Sequence, residues 1–127
     1  MRCLSLTQPW ASLIANGVKR IETRSWGTAY RGALAIHAAK SIDREACRNF
    51  GYDFTSLPRG CVLCTCQLVE CFQFNSETVA EFIETREFEC GDFEFGRWGW
   101  RLREVKSLPV PVPAIGHLGL WEWTVEV

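Results

Sequence analysis

A chain of 127 residues, 47% hydrophobic and 23% charged, is long enough for one compact domain and too short for two, so a single domain over residues 1–127 with one site is expected. No apolar run approaches the roughly 20 residues of a membrane helix, and MRCLSLTQPW lacks the apolar core of a secretory signal, which together predict a soluble, cytoplasmic protein away from membranes. The net charge of −1 excludes broad coating of nucleic acid, but residues 1–60 carry nine Lys/Arg against four Asp/Glu while residues 61–127 carry five against eleven, so a local anion-binding face is expected in the N-terminal half.

Arg2 to Leu6 reads as a short strand. Thr7 then N-caps a helix with Pro9 in its first turn, Trp10, Leu13 and Ile14 on one face, and Gly17 as its C-terminal stop. Val18 to Ser25 is strand-like, and Gly32 to Ala38 alternates with Leu34 and Ile36 facing one way, Ala35 and His37 the other. Ser41 caps a second helix to Phe50, and Gly51 to Gly60 is a loop.

Cys61 to Phe72 is the longest strand, placing Val62, Cys64, Cys66 and Leu68 on one face and Cys61 on the other. Its CxxC spacing therefore reads as buried strand cysteine, and seven cysteines without a signal peptide predict reduced thiols and no metal site. Ser76 caps a helix through about Arg86. Between Phe95 and Val105, Trp98, Trp100 and Leu102 alternate with Arg97, Arg101 and Arg103, a half-buried strand with a basic outer face.

The prolines of Leu108 to Pro113 exclude a central strand there and predict a fixed connection. Trp121, Trp123, Val125 and Val127 alternate with Glu122, Thr124 and Glu126 in a closing strand. Five to six strands and two to three short helices without a βαβ rhythm predict an α+β fold, a small mixed β-barrel.

The densest polar chemistry lies between Gln8 and Arg31. Lys19, Arg20, Arg24 and Arg31 supply cations, Glu22 an acceptor or base, and Trp10, Trp26 and Tyr30 flat faces. A nucleotide needs these three kinds of group, for phosphate, for a base's amino edge and for stacking. Strand alternation puts Glu22 and Arg24 on one face and Ile21 with Thr23 on the other. The alternative is a surface Glu22–Arg24 ion pair with both tryptophans in the core. Neither reading requires a metal or another cofactor.

The run SLTQPWASLIANGVKRIETRSW, continuing to YRGALAIHAAK, resembles the ASCH family, named for the activating signal cointegrator homology domain. Its G-x-K-x-x-E-x-R pattern is met at Gly17, Lys19, Glu22 and Arg24, and the blocks Gly60 to Leu63 and Gly119 to Trp123 fit as well. The resemblance implies a PUA-like fold. It also implies one of three activities: RNA binding, ribonuclease action, or hydrolysis of the amide in N4-acylated cytidines. In the amidohydrolases of the family a Lys, a Thr and a Glu act; Lys19 matches the first, and at the usual Thr position this chain has Glu22, followed by Thr23.

The family's Glu comes from a later segment and is not carried over, so the candidate catalytic set is Lys19, Glu22 and Thr23, with Gln8, Trp10, Arg24, Trp26, Tyr30, His37 and Lys40 around the substrate. Glu22 is favoured as the base; Thr23 becomes the nucleophile if a bulge turns it into the cleft. A ribonuclease would instead use Lys19 and Arg24 on the phosphate, with His37 or Glu22 at the 2′-OH. A domain with nothing attached favours an enzyme, a metal-independent amidohydrolase acting on a modified nucleoside, over a non-catalytic module that binds short single-stranded RNA.

Overall fold

The computed structural model describes residues 1–124, so the part of the expected closing strand at Val125 and Val127 lies outside the described residues. In chain order the elements are β1 (Arg2–Gln8), α1 (Trp10–Ala15), β2 (Ile21–Arg24), β3 (Gly32–Ile42), α2 (Arg44–Phe50), β4 (Cys61–Gln73), α3 (Ser76–Ala80), a 3-10 turn (Arg86–Cys90), β5 (Trp98–Pro113) and β6 (Leu120–Glu122). They build one mixed, six-stranded sheet in the order β2-β5-β4-β3-β1-β6. β1 runs parallel to β3, and the other pairs are antiparallel. The α+β content is as expected, but the sheet is open: β2 and β6 form its two ends and do not pair with each other.

Period-two alternation sorts the side chains onto the two faces. Leu4, Leu6, Leu34, Ile36, Ala38, Cys64, Cys66, Leu68, Trp100 and Leu102 form the main core, closed by Ala11 and Ile14 of α1. Cys3, Ala35, Val62, Trp121 and Trp123 form a smaller cluster on the opposite face. Val62 departs from the expected face, because the register shifts between Val62 and Cys64, and this bulge brings Cys61 and Leu63 into the main core instead. A third cluster, Ile21, Phe74, Val79, Phe82 and Phe93, fastens the acidic segment between β4 and β5 to β2.

Other local expectations are corrected as well. β1 extends through Gln8 and Pro9 takes the N-cap position of α1, so Thr7 does not cap it; from the residue before the cap, Gln8 Oε1 accepts from Ser12 N at 3.0 Å. Ser41 belongs to β3, and Asp43 caps α2 by accepting from Ala46 N at 3.0 Å. Asn75, not Ser76, caps α3, its Oδ1 accepting from Glu77 N and Thr78 N, and the helix stops at Ala80, where Phe82 N bonds Val79 O and turns Phe82 into the third cluster.

Leu108 to Pro113 is strand, the second half of β5, paired with β4 on one side only, since β2 reaches no further than Arg101. Ala114 N points at Gly60 O, so alternation turns the positions of Pro113 and Pro111, which have no N–H to donate, toward the unpaired edge.

Candidate functional site

The first cleft opens beside β2 and holds about 550 Å³. Its floor is set by the end of α1. Gly17, at φ +79, takes the left-handed conformation that stops the helix, and Val18 N and Lys19 N both bond Leu13 O at 3.0 Å, which turns Lys19 under the helix. Lys19 is 1% exposed. Its Nζ donates to Ile21 O at 2.6 Å and to Cys90 O at 2.5 Å, and lies 3.6 Å from Glu22 Oε1. The buried Glu22 carboxylate accepts from Thr23 N through Oε1 and from Arg24 Nη1 through Oε2, at 3.0 and 2.9 Å. A buried carboxylate between two cations is compensated in the only way its burial tolerates.

The far wall is the acidic segment, tied to β2 at several points. Glu87 accepts from Arg20 N at 2.8 Å and Ile21 N at 3.3 Å, and Thr23 Oγ1 accepts from Asp92 N at 3.0 Å. Gly91 is needed there: a Cβ would stand 2.8 Å from Thr23 Cγ2, 2.9 Å from Thr23 Oγ1 and 3.3 Å from Lys19 Nζ. Trp10 forms the opposite wall, half-buried, edge-on to Phe50 at 5.9 Å and 5.7 Å from Lys19 Nζ. Lys19, Arg24 and Arg97 face Glu22, Asp43 and Asp92 across the cleft, so the charges of the described lining residues balance. The sequence's basic-to-acidic contrast is therefore not preserved here, because the fold interleaves the two halves of the chain.

The structure brings Lys19, Glu22, Thr23, Arg24 and Trp10 together. Thr23 reaches the cleft alongside Glu22, although strict alternation turned it away, because the cleft wraps the edge of β2. Gln8, Trp26 and Tyr30 lie elsewhere. Gln8 is fully buried, its Nε2 donating to Ser12 Oγ and Pro58 O, both at 2.8 Å. Trp26 packs edge-on against Trp100 at 4.9 Å, and the Tyr30 hydroxyl donates to Ala33 O at 2.6 Å. Both rings are core supports rather than cleft walls.

His37 and Lys40 border a second cleft of about 1150 Å³, walled by Pro113 to Leu118. His37 is held by two contacts: its Nε2 donates to Ala114 O at 2.8 Å, and its Nδ1 is 2.9 Å from Ser5 Oγ, which also accepts from Trp121 Nε1 at 3.1 Å. Ser5 lines both clefts. Sequence reasoning missed Ser5, Asp43, Asp92 and Arg97. Arg97 reads from the sequence as the outer face of a strand but precedes β5 and lines the cleft, and Cys90 contributes a backbone carbonyl, which no side-chain pattern reports. Among the described residues no cluster of three or more His, Cys, Asp or Glu could hold a metal, and no helix is long and apolar enough to cross a membrane.

The profile of the ASCH domain matches residues 4–109. Activating signal cointegrator 1 of Mus musculus is 38% identical over 132 residues, covering 94% of this chain and 22% of that protein. The protein of the same name from Homo sapiens is 40% identical over 81 residues, covering 54% of this chain and 14% of its own. The chain thus spans about a fifth or less of the length of these relatives. The crystal structure of ASCH from Zymomonas mobilis superposes with a TM-score of 0.60 at 20% identity, covering 88% of this chain and 72% of the other, and a point mutant of it scores 0.61 at 16% identity with 74% of its chain covered. At that identity the likeness is one of fold.

Proposed function

The chain belongs to the ASCH domain family, and from that premise we propose that its first cleft takes a single nucleobase of single-stranded RNA. The observation that carries this reading is the Lys19–Glu22–Arg24 network beneath Trp10. Glu22 offers a fixed acceptor to an exocyclic amino group, the remaining guanidinium donors of Arg24 suit a base carbonyl or ring nitrogen, and Trp10 supplies a flat wall. A volume of about 550 Å³ falls within the range of pockets that enclose small ligands. Balanced charge favours a base with a polar edge over a run of phosphates.

Titration of tryptophan fluorescence with short single-stranded RNA tests it. Quenching with a shallow salt dependence is expected, and Glu22→Gln should weaken binding about tenfold by replacing the carboxylate with a less effective acceptor. A steep salt slope, or unchanged affinity in Glu22→Gln, would reject the pocket.

A second reading, hydrolysis of an N4-acylated cytidine, is favoured by one observation: the Glu22 carboxylate lines the cleft with Lys19 Nζ 3.6 Å from its Oε1, a base with a cation beside it. In that reaction Glu22 takes a proton from water, the hydroxide adds to the acyl carbon, and the C–N bond breaks as the cytosine amine regains a proton. Chromatography of released cytidine decides it. Glu22→Gln should abolish turnover while Thr23→Val is nearly silent; the reverse ranking would make Thr23 the nucleophile, and no release by the wild type over a panel of acyl groups would remove the hydrolase.

A further inference from the structure

The second cleft differs from the first in kind. Its lining is largely aliphatic, Leu118 is 99% exposed and Ile115 84% exposed, and among its described lining residues Lys40 is a cation while none is a carboxylate. Exposed aliphatic side chains around a trough make it a candidate binding surface. Its position narrows the occupant. Ser5 is a wall of both clefts, and beyond it Thr7, which lines the first cleft, hydrogen-bonds Ser41 at 2.7 Å, next in sequence to Lys40. The exposed hydroxyl pair Thr7–Ser41 on β1 and β3 therefore forms a hydroxyl stripe between the charged cleft and the apolar one, the Ser5 hydroxyl being engaged by His37 and Trp121.

We propose that the second cleft receives the nucleotide adjoining the one in the first, so that the recognised unit is at least a dinucleotide of single-stranded RNA. This rests on the reading of the first cleft as a nucleobase site. The base of the neighbouring nucleotide lies against Leu118, Ile115 and the His117 ring, Lys40 meets the intervening phosphate, and the hydroxyl stripe meets the ribose. The chemistry of the surface carries each assignment. A base has an apolar face that aliphatic and aromatic side chains cover, a single phosphodiester needs a single cation, and the 2′-OH is both donor and acceptor and so pairs with Ser and Thr hydroxyls. An acidic apolar peptide would satisfy the cation and the trough but has no use for the hydroxyl stripe.

Calorimetric titration of the wild-type protein with AMP, CMP, GMP and UMP, and then with ApA, CpC, GpG and UpU, tests the proposal. The best dinucleotide should bind about tenfold or more tightly than its mononucleotide, in line with one added stacked base. Leu118→Ser, which alters a fully exposed side chain, should remove that advantage and leave mononucleotide affinity unchanged. The matching deoxydinucleotide should bind more weakly than the ribose form. Equal affinity for mono- and dinucleotide, or an advantage that survives in Leu118→Ser and Ile115→Ser, overturns the second subsite while leaving the first cleft intact. No binding by any of the eight compounds overturns both.

Discussion

The two clefts share Ser5 and are otherwise built on opposite terms. In the first, each charged group of the floor is held by another part of the protein: Lys19 by two carbonyls and a carboxylate, Glu22 by Arg24 and a backbone N–H, Arg97 by Asp92 O at 3.2 Å. In the second, the polar contacts converge on His37, and the outer wall from Ile115 to Leu118 is exposed and lacks regular secondary structure. Internal electrostatics fix the shape of the first before any ligand arrives, whereas the second is a loop pinned at one ring. Recognition that needs preset donors belongs in the first, and contact that needs accommodation belongs in the second.

Breaking the rigid side should cost most. Lys19→Met removes the donor for Ile21 O and Cys90 O and leaves buried Glu22 with Arg24 as its one remaining cation among the described residues. A loss of roughly 3–5 kcal/mol is expected in urea denaturation, a large part of a domain's typical stability. A loss under about 1 kcal/mol would mean the floor behaves like a surface ion pair.

A matched pair of glycine substitutions sharpens the comparison. A methyl on Gly91 would meet Thr23 at 2.8 Å and Lys19 Nζ at 3.3 Å; a methyl on Gly116 would meet His37 at 2.7 Å and Ser5 Oγ at 2.8 Å. Gly91 has extended backbone, φ −170, so the cost of Gly91→Ala is steric and not conformational. With a buried lysine behind it, Gly91→Ala should cost about 1–3 kcal/mol and close the cleft to ligand. Gly116→Ala should cost less, because an exposed loop can lift. Thermal unfolding of the two variants checks the order, and equal losses would show the second wall to be as fixed as the first.

The sequence makes one side of this contrast much more readable than the other. Lys19, Glu22 and Arg24 stand out because they meet the G-x-K-x-x-E-x-R pattern, whereas their residue types alone also fit a surface ion pair. Cys90 is invisible to such reading, since its contribution is a carbonyl delivered across 71 residues of sequence by an acidic segment that looks like plain solvated helix. Gln8 misleads in the other direction: an amide beside aromatic and cationic residues looks like a ligand contact, and it is fully engaged in holding α1 to the loop at Pro58. The prolines of β5 rightly exclude a central strand but do not separate an edge strand from a connection, because both leave the proline nitrogen facing outward. A local bulge defeats alternation at Val62, and the open sheet follows from strand order, which depends on long-range pairing.

The smallest expected effect concerns what lies beneath the clefts. Both rest on buried apolar cores, with Cys64 and Cys66 in the main one and Cys3 in the cluster under Trp121, and burial pushes these three thiols from 9.0 up to about 12. A thiolate is the reactive form, so these groups should be inert to a thiol reagent at pH 8. Of the seven cysteines six are buried, and Cys71, partly exposed, should label first; urea should then release all seven. The same shifts fix the sign of an alkaline effect. A thiol whose folded pKa is raised contributes stability that is whole below pH 9 and is lost as pH climbs from 9 toward 12, because the unfolded chain gives up its protons first. Unfolding midpoints should therefore fall above pH 9, and the fall should be shallower in Cys64→Ala, which has no thiol to ionise. Rapid labelling of several thiols at pH 8 would mean that water reaches the core through one of the clefts, and comparing Gly91→Ala with Gly116→Ala under the reagent would identify which.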